Sequence, residues 1–125
     1  MTPNKYQKEA LRTDAMLKEK VTDVIIFDTD RYCNARRLEQ GLMGLCGEAG
    51  EAIDILKKCL FQGHELNREH LAKELGDVAW YLAVSADALG YSLEQILQMN
   101  LDKLRARYPD GFEAEKSVNR AVEDV

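Results

Sequence analysis

The chain has 125 residues, 46% hydrophobic and 31% charged, with a formal net charge of −5 at neutral pH. That length suits one domain with a real core, but a large substrate would call for a second subunit, and the acidic balance argues against a general nucleic-acid or membrane-surface binder, which offers phosphate a net basic face. No apolar run reaches the ~20 residues of a membrane span, and the N-terminus MTPNKYQKEALRTD lacks the apolar core of a signal peptide, so a cytoplasmic protein is expected.

Tyr6, Ala10, Thr13 and Leu17, spaced by three and four, predict a first helix over about 3–19. In VTDVIIFDTDRYCNARR, Val24 to Phe27 reads as a short strand or a buried connector; with no second strand-like run to pair it, the connector is preferred. Asp28 and Asp30 form a DxD, but the metal chemistry that motif serves in sugar-nucleotide transferases sits in an α/β fold, so solvated loop acids are expected.

From about 36 to 61 the apolar set Leu42, Leu45, Cys46, Ala49, Ala52, Ile53, Leu56, Cys59 and Leu60 follows a helical period. Within it, GLMGLCGEAGEAIDILKK places glycine at 41, 44, 47 and 50. Each glycine inside a helix costs up to about 1 kcal/mol relative to alanine, roughly 2–4 kcal/mol together. The three cysteines are widely spaced, and Cys46 and Cys59 read as reduced core residues rather than disulfide or zinc partners. FQGHELN breaks the period, with Gly63 near a C-cap and Asn67 as an N-cap. His64 and His70 are six residues apart, not the four of HExxH, so surface-loop positions are expected for them.

A third helix, about 68–89, rests on Leu71, Leu75, Val78, Leu82, Ala86 and Leu89 and ends at Gly90. Ser92 caps a fourth, about 93–107, with Leu93, Ile96, Leu97, Leu101 and Leu104 inside. Tyr108-Pro109-Asp110-Gly111 is a turn, and the charged tail from Glu113 is either frayed or a short added helix. The expected architecture is all-α: a four- to five-helix bundle in one domain over residues 1–112, with 113–125 as tail.

The acids carry the functional signal. At about 100° per residue, Glu48 sits about 60° from Leu45 in the apolar stripe and Glu51 about 60° further; Leu71, Glu74 and Asp77 repeat that phase on the third helix. Solvated surface acids are the common case for such residues. Here, however, neither pair has a basic residue at i+4, since Ala52, Ile55, Val78 and Tyr81 occupy those positions. If the two helices are neighbours, four carboxylates converge at the core edge. Asn100, between Leu97 and Leu101, needs partners amid leucines, and Lys103 and Arg107 follow along the same edge. Four hard oxygen ligands suit Mg²⁺ or Mn²⁺, which keep positions for water or phosphate, and basic groups neutralise the remaining charge. A di-iron bundle would instead show Glu-x-x-His.

At GLCGEAGEAIDILKK, LAKELGDVAWYLAVSADALG and NLDKLRARYPDGF the chain resembles the MazG-like members of the all-α nucleoside triphosphate pyrophosphohydrolase superfamily, over about residues 38–112. The resemblance implies a helical core completed as a homodimer or homotetramer. It also implies Mg²⁺-dependent hydrolysis of a (deoxy)nucleoside triphosphate between the α- and β-phosphates, giving monophosphate and pyrophosphate in nucleotide-pool house-cleaning. By position Glu48, Glu51, Glu74 and Asp77 match its metal ligands. Asn100 and Lys103 match its nucleotide and phosphate contacts, with Lys57, Lys58, Arg107 and Tyr108 as looser matches. Helix phase favours Lys58, about 20° from Glu51 in projection, over Lys57. The expected mechanism is in-line attack of water on the α-phosphorus, with Glu48 or Glu51 orienting or deprotonating that water and Mg²⁺ offsetting phosphate charge. Phosphoribosyl-ATP and dUTP pyrophosphatases of the same superfamily are the close alternatives, and a non-catalytic helical interaction domain is the distant one.

Two further expectations concern packing. Gly41 and Gly44 leave room beside the acids for a helix or ligand, while Gly47 and Gly50 admit another segment behind. Trp80 either packs under the N-terminal segment or faces a second subunit or the base.

Overall fold

The computed structural model describes residues 1–18, 24–28 and 31–124. Their elements are α1 (Pro3–Leu11), a 3₁₀ turn (Ala15–Lys18), β1 (Val24–Asp28), β2 (Arg31–Asn34), α2 (Ala35–Gln62), α3 (Arg68–Ala88), α4 (Leu93–Arg107) and α5 (Ala114–Val118). The fold is all-α in its architecture, with a local two-stranded ribbon. None of the described helices is long and apolar enough to cross a membrane. The chain forms two compact units, Met1–Leu93 and Glu94–Val125.

Local chemistry sets the helix ends. Thr2 accepts from Lys5 N at 3.1 Å and Pro3 opens α1. The helix stops at Leu11, eight residues short of the expected Leu17–Glu19 region, because side chains beyond it compete for the backbone. Thr13 Oγ1 donates to Ala10 O at 2.9 Å, and Asp14 Oδ1 accepts from Met16 N at 3.0 Å. Asn67 caps α3 as expected, accepting from His70 N at 3.0 Å. Gly90, at φ 87°, closes α3: Tyr91 N donates to Ala86 O and Gly90 N to Asp87 O, each at 2.9 Å.

The expected connector is instead an antiparallel hairpin, Val24 opposite Asn34 through Asp28 opposite Arg31, with an irregularity between Ile26 and Asp28. Val-Ile-Ile-Phe supplies the β-branched and aromatic content. Its partner Arg-Tyr-Cys-Asn is only four residues long and carries no aliphatic alternation to betray it. Asp28 is therefore a strand residue rather than a loop acid, and Asp30 lies outside the described residues.

In the first unit α2 and α3 run antiparallel, Gly41 opposite Ser85 and Gly44 opposite Tyr81. α1 packs on the other side of α3, around Ala10, Ala83 and Leu93, with Tyr6, Trp80 and Leu82 against them. Trp80 thus lies under the N-terminal segment, its Nε1 donating to Thr13 Oγ1 at 2.9 Å and Ala10 O at 3.2 Å. Buried Gln7 satisfies its whole amide: Nε2 donates to Ala83 O and Tyr91 O, and Oε1 accepts from Leu93 N. Arg37, also buried, binds Asp14 Oδ2 at 2.8 Å and Asp87 Oδ2 at 2.9 Å, tying the segment after α1 to α2 and α3.

The face of α2 that meets α3 is not its apolar stripe. Arg37 and Gly41 are its buried residues, whereas Leu42, Ile53 and Leu60 are 50%, 61% and 64% exposed. Glycine explains the choice: without β-carbons at 41 and 44, α3 comes so close that Ser85 and the Tyr81 ring occupy the space those atoms would need. The stripe is left to one side, about a quarter turn away. Cys46 is accordingly exposed and Cys59 half-buried, both free thiols, rather than core residues. The α3 stripe, including exposed Leu75, projects to that same side of the antiparallel pair.

In the second unit Arg107 makes a bidentate pair with Asp124, Nε and Nη2 each 2.6 Å from a carboxylate oxygen. Tyr108 packs on Phe112, ring centroids 5.2 Å apart. The tail is the short helix α5. Leu97, Leu101 and Leu104, expected inside, are exposed, and so is Asn100 between them.

Candidate functional site

Antiparallel pairing decides which acids meet. One turn beyond Gly44 on α2 lies Glu48, and one turn before Tyr81 on α3 lies Asp77, so the contact that the glycines permit carries these carboxylates together. Glu48, Glu74 and Asp77 each offer an oxygen, and the three oxygens lie within 4.8 Å of one another. Glu48 and Glu74 are half-buried; Asp77 and Glu51 are exposed. Burial, then the Glu51 charge, then close approach of the Glu74 carboxyl hold the Glu48 carboxyl above its usual range, with the Asp77 charge adding to it. Tyr6 of α1 is raised by burial and then by the Asp77 charge.

Like charges gathered at a helix interface are unfavourable unless something positive offsets them. A buried oxygen here lacks a partner: Glu74 Oε2 accepts no hydrogen bond. In a side chain only 12% exposed, such an acceptor carries a desolvation cost of about 1–3 kcal/mol. Three carboxylates from two rigid helices and an unmet acceptor fit a small hard divalent cation, whose remaining positions stay open to water or phosphate.

Beside the acids is a cavity of about 470 Å³, lined by Gly47, Gly50, Glu51, Asp54, Ile55, Lys58, His70 and Glu74. Glu51 borders it outside the three-oxygen cluster. Gly47 and Gly50 face this open space: a β-carbon on either would meet nothing within 4 Å, so no segment lies behind them among the described residues, contrary to expectation. Lys58 stands in the wall, its Nζ 2.8 Å from Asp54 Oδ2. Lys57 reaches the other oxygen of Asp54 at 3.0 Å but lines a different, more apolar hollow with Ile53, Leu60 and Phe61. Lys58 and then Lys57 hold the Asp54 carboxyl below its usual range.

The other four sequence candidates belong to the second unit. Lys103 and Arg107 line a cavity of about 540 Å³ with Lys116, Asn119, Arg120 and Asp124, while Tyr108 lies under the Arg107 guanidinium, 5.8 Å from the ring centroid, and Asn100 is exposed on α4. Two residues at the acidic cavity escaped the sequence reading, Asp54 and His70. His70 is helical rather than in a loop, with Nε2 3.1 Å from Glu74 Oε1. Its signal was the i−4 position before Glu74; attention to i+4 alone passes over it.

Compared with known proteins, residues 36–112 match the MazG nucleotide pyrophosphohydrolase domain. The "Gene 37 protein" of Mycobacterium phage L5 is 44% identical over 73 residues, covering 55% of this chain and 64% of the phage protein, so the chain spans just under two thirds of that relative. No solved structure matches.

Proposed function

Since the chain belongs to the MazG nucleotide pyrophosphohydrolase domain family, we propose that it is an Mg²⁺-dependent hydrolase that cleaves nucleoside triphosphates between the α- and β-phosphates. The observation that carries this reading is the convergence of one oxygen each from Glu48, Glu74 and Asp77, with Glu74 Oε2 buried and unpartnered and Glu74 also lining the cavity that holds Lys58.

Glu48, Glu74 and Asp77, with Glu51 at the edge, hold the cation; Mn²⁺ suits the same oxygens. When bound, the cation offsets charge on the phosphate oxygens and makes water more acidic. The chain's own residues supply the rest. Glu48 or Glu51 orients the attacking water and takes its proton. Lys58 exchanges Asp54 for a phosphate oxygen. The openness at Gly47 and Gly50 gives the triphosphate room beside the acids. In the second unit, taken by itself, Asn100, Lys103, Arg107 and Tyr108 are the proposed nucleotide- and phosphate-contacting residues by family resemblance. A second copy of the chain covers the apolar side formed by Leu42, Ile53, Leu60 and Leu75, giving a homodimer or, by pairing dimers, a tetramer; a strictly monomeric mass at micromolar concentration would remove that part.

The test is a panel of ribo-, deoxy- and modified triphosphates with Mg²⁺, scored for pyrophosphate and orthophosphate. Monophosphate and pyrophosphate should form in equal amounts, and Glu74→Gln should reduce turnover to background. Orthophosphate alone would refute the cleavage position, and full turnover by Glu74→Gln would refute the ligand set.

A further inference from the structure

Glu74 has two oxygens in unlike circumstances. Oε2 is buried and accepts nothing, whereas Oε1 faces His70 Nε2 at 3.1 Å. A carboxylate can only accept, so the imidazole nitrogen facing it carries the proton and donates. The imidazole is 56% exposed while the Glu74 side chain it holds is 12% exposed. This is unlike the neighbouring Glu69–Lys73 pair, where both ends stand in water. The His70 backbone is fixed as well, since its N–H is the one that capping Asn67 receives. His70 and Glu74 both line the cavity beside the acids.

Resting on the divalent-cation reading above, we infer that His70 is a positioning residue for that site: it clamps Oε1 of Glu74 so that the carboxylate keeps one orientation and presents Oε2 to the ion. A carboxylate on a helix rotates about its terminal torsion over a broad, nearly two-fold range. A hydrogen bond to one oxygen of Glu74 limits that rotation, so the other oxygen is held in place for the ion before it arrives. Partners of this kind around ligating carboxylates and imidazoles set ligand orientation, and their loss typically weakens metal affinity or activity by about 10–100-fold. Among the described residues Glu48 meets the Glu74 carboxyl rather than a nitrogen donor, so the imidazole clamp is one on Glu74.

The experiment is Mn²⁺ titration followed by electron paramagnetic resonance of the free ion, on the full chain, for wild type, His70→Ala, His70→Gln, Lys73→Ala and Glu74→Gln, with circular dichroism melts on the same samples. His70→Ala should bind Mn²⁺ about tenfold or more weakly than wild type while keeping its helical melt. His70→Gln, whose amide nitrogen reaches the same oxygen, should recover most of the affinity, and Lys73→Ala should match wild type. His70→Ala binding as tightly as wild type overturns the clamp and leaves the metal site standing, as does His70→Gln binding as weakly as His70→Ala. Wild type and Glu74→Gln both failing to retain Mn²⁺ overturns the metal reading and the clamp with it.

Discussion

The ring of Tyr81 on α3 lies where a β-carbon on Gly44 of α2 would project, so a bare backbone at position 44 is what lets the two helices meet one turn away from the acids. Gly44→Ala gains up to about 1 kcal/mol of helix propensity but overpacks the contact at about 1–3 kcal/mol. The expected net result is a melting temperature lower by several degrees and weaker Mn²⁺ binding, because Glu48 moves away from Asp77. Gly47→Ala, which meets nothing, should raise the melt instead. A Gly44→Ala protein more stable than wild type with unchanged Mn²⁺ affinity would sink the close-approach account.

Arg37→Met should be among the most damaging single changes. It strands the buried Asp14 carboxylate, whose side chain is 1% exposed, and removing one partner of a buried pair costs about 3–5 kcal/mol. Chemical denaturation should show that loss, and Asp14→Asn in the Arg37→Met background should restore part of it.

Ser85→Ala should stabilise. Its hydroxyl is buried against Gly41 with no hydrogen-bond partner, so deletion removes a desolvation cost of about 1–3 kcal/mol. The urea midpoint should rise with an unchanged slope.

Glu48 ties stability to pH and, in the proposed cation site, to the ion. A carboxyl whose folded pKa is raised binds its proton more tightly in the fold, so its contribution favours folding when protonated and is lost as pH rises through the raised value. In chelator, the protein should therefore gain stability from this group as pH falls from neutral into the carboxylate range, and Mg²⁺ at neutral pH should replace that gain. Glu48→Gln should melt higher than wild type in chelator and show no further rise with Mg²⁺.

Asp124 has the opposite sign. Arg107 lowers its pKa by hydrogen bonding and charge, against the opposing effect of burial. The stability it adds is present above the ordinary aspartate range and is lost as pH falls through the lowered folded value. The Arg107 Nε proton should stay protected from exchange at neutral pH and lose protection only below that range, and Asp124→Asn should abolish the protection throughout.

Periodicity and caps made α2, α3 and α4 legible, because Asn67 and Gly90 mark helix ends by local geometry that needs no tertiary partner. The acids were legible for a similar reason: rotation per residue is fixed, so Glu48 and Asp77 keep their phase in any helix. What escaped depends on choices between surfaces. The stripe of Leu42, Ile53 and Leu60 announced the face to be buried, yet α3 took the glycine flank, since closeness of approach at Gly41 and Gly44 is invisible to a hydrophobic period. The early end of α1 turned on Thr13 and Asp14 binding nearby backbone, and the Trp80 partner on two acceptors 70 and 67 residues away in the chain. Strand β2 was too short and too polar to declare itself.

Because Glu48, Glu74 and Asp77 all come from one chain, their meeting is unimolecular, and its free energy has no concentration term. The self-association proposed for the apolar side of α2, a quarter turn away, would follow mass action and weaken on dilution. At a fixed free concentration of the divalent ion, occupancy of the proposed site should therefore stay level along a dilution series while the proposed self-association falls, so that a lone copy keeps its place for the ion.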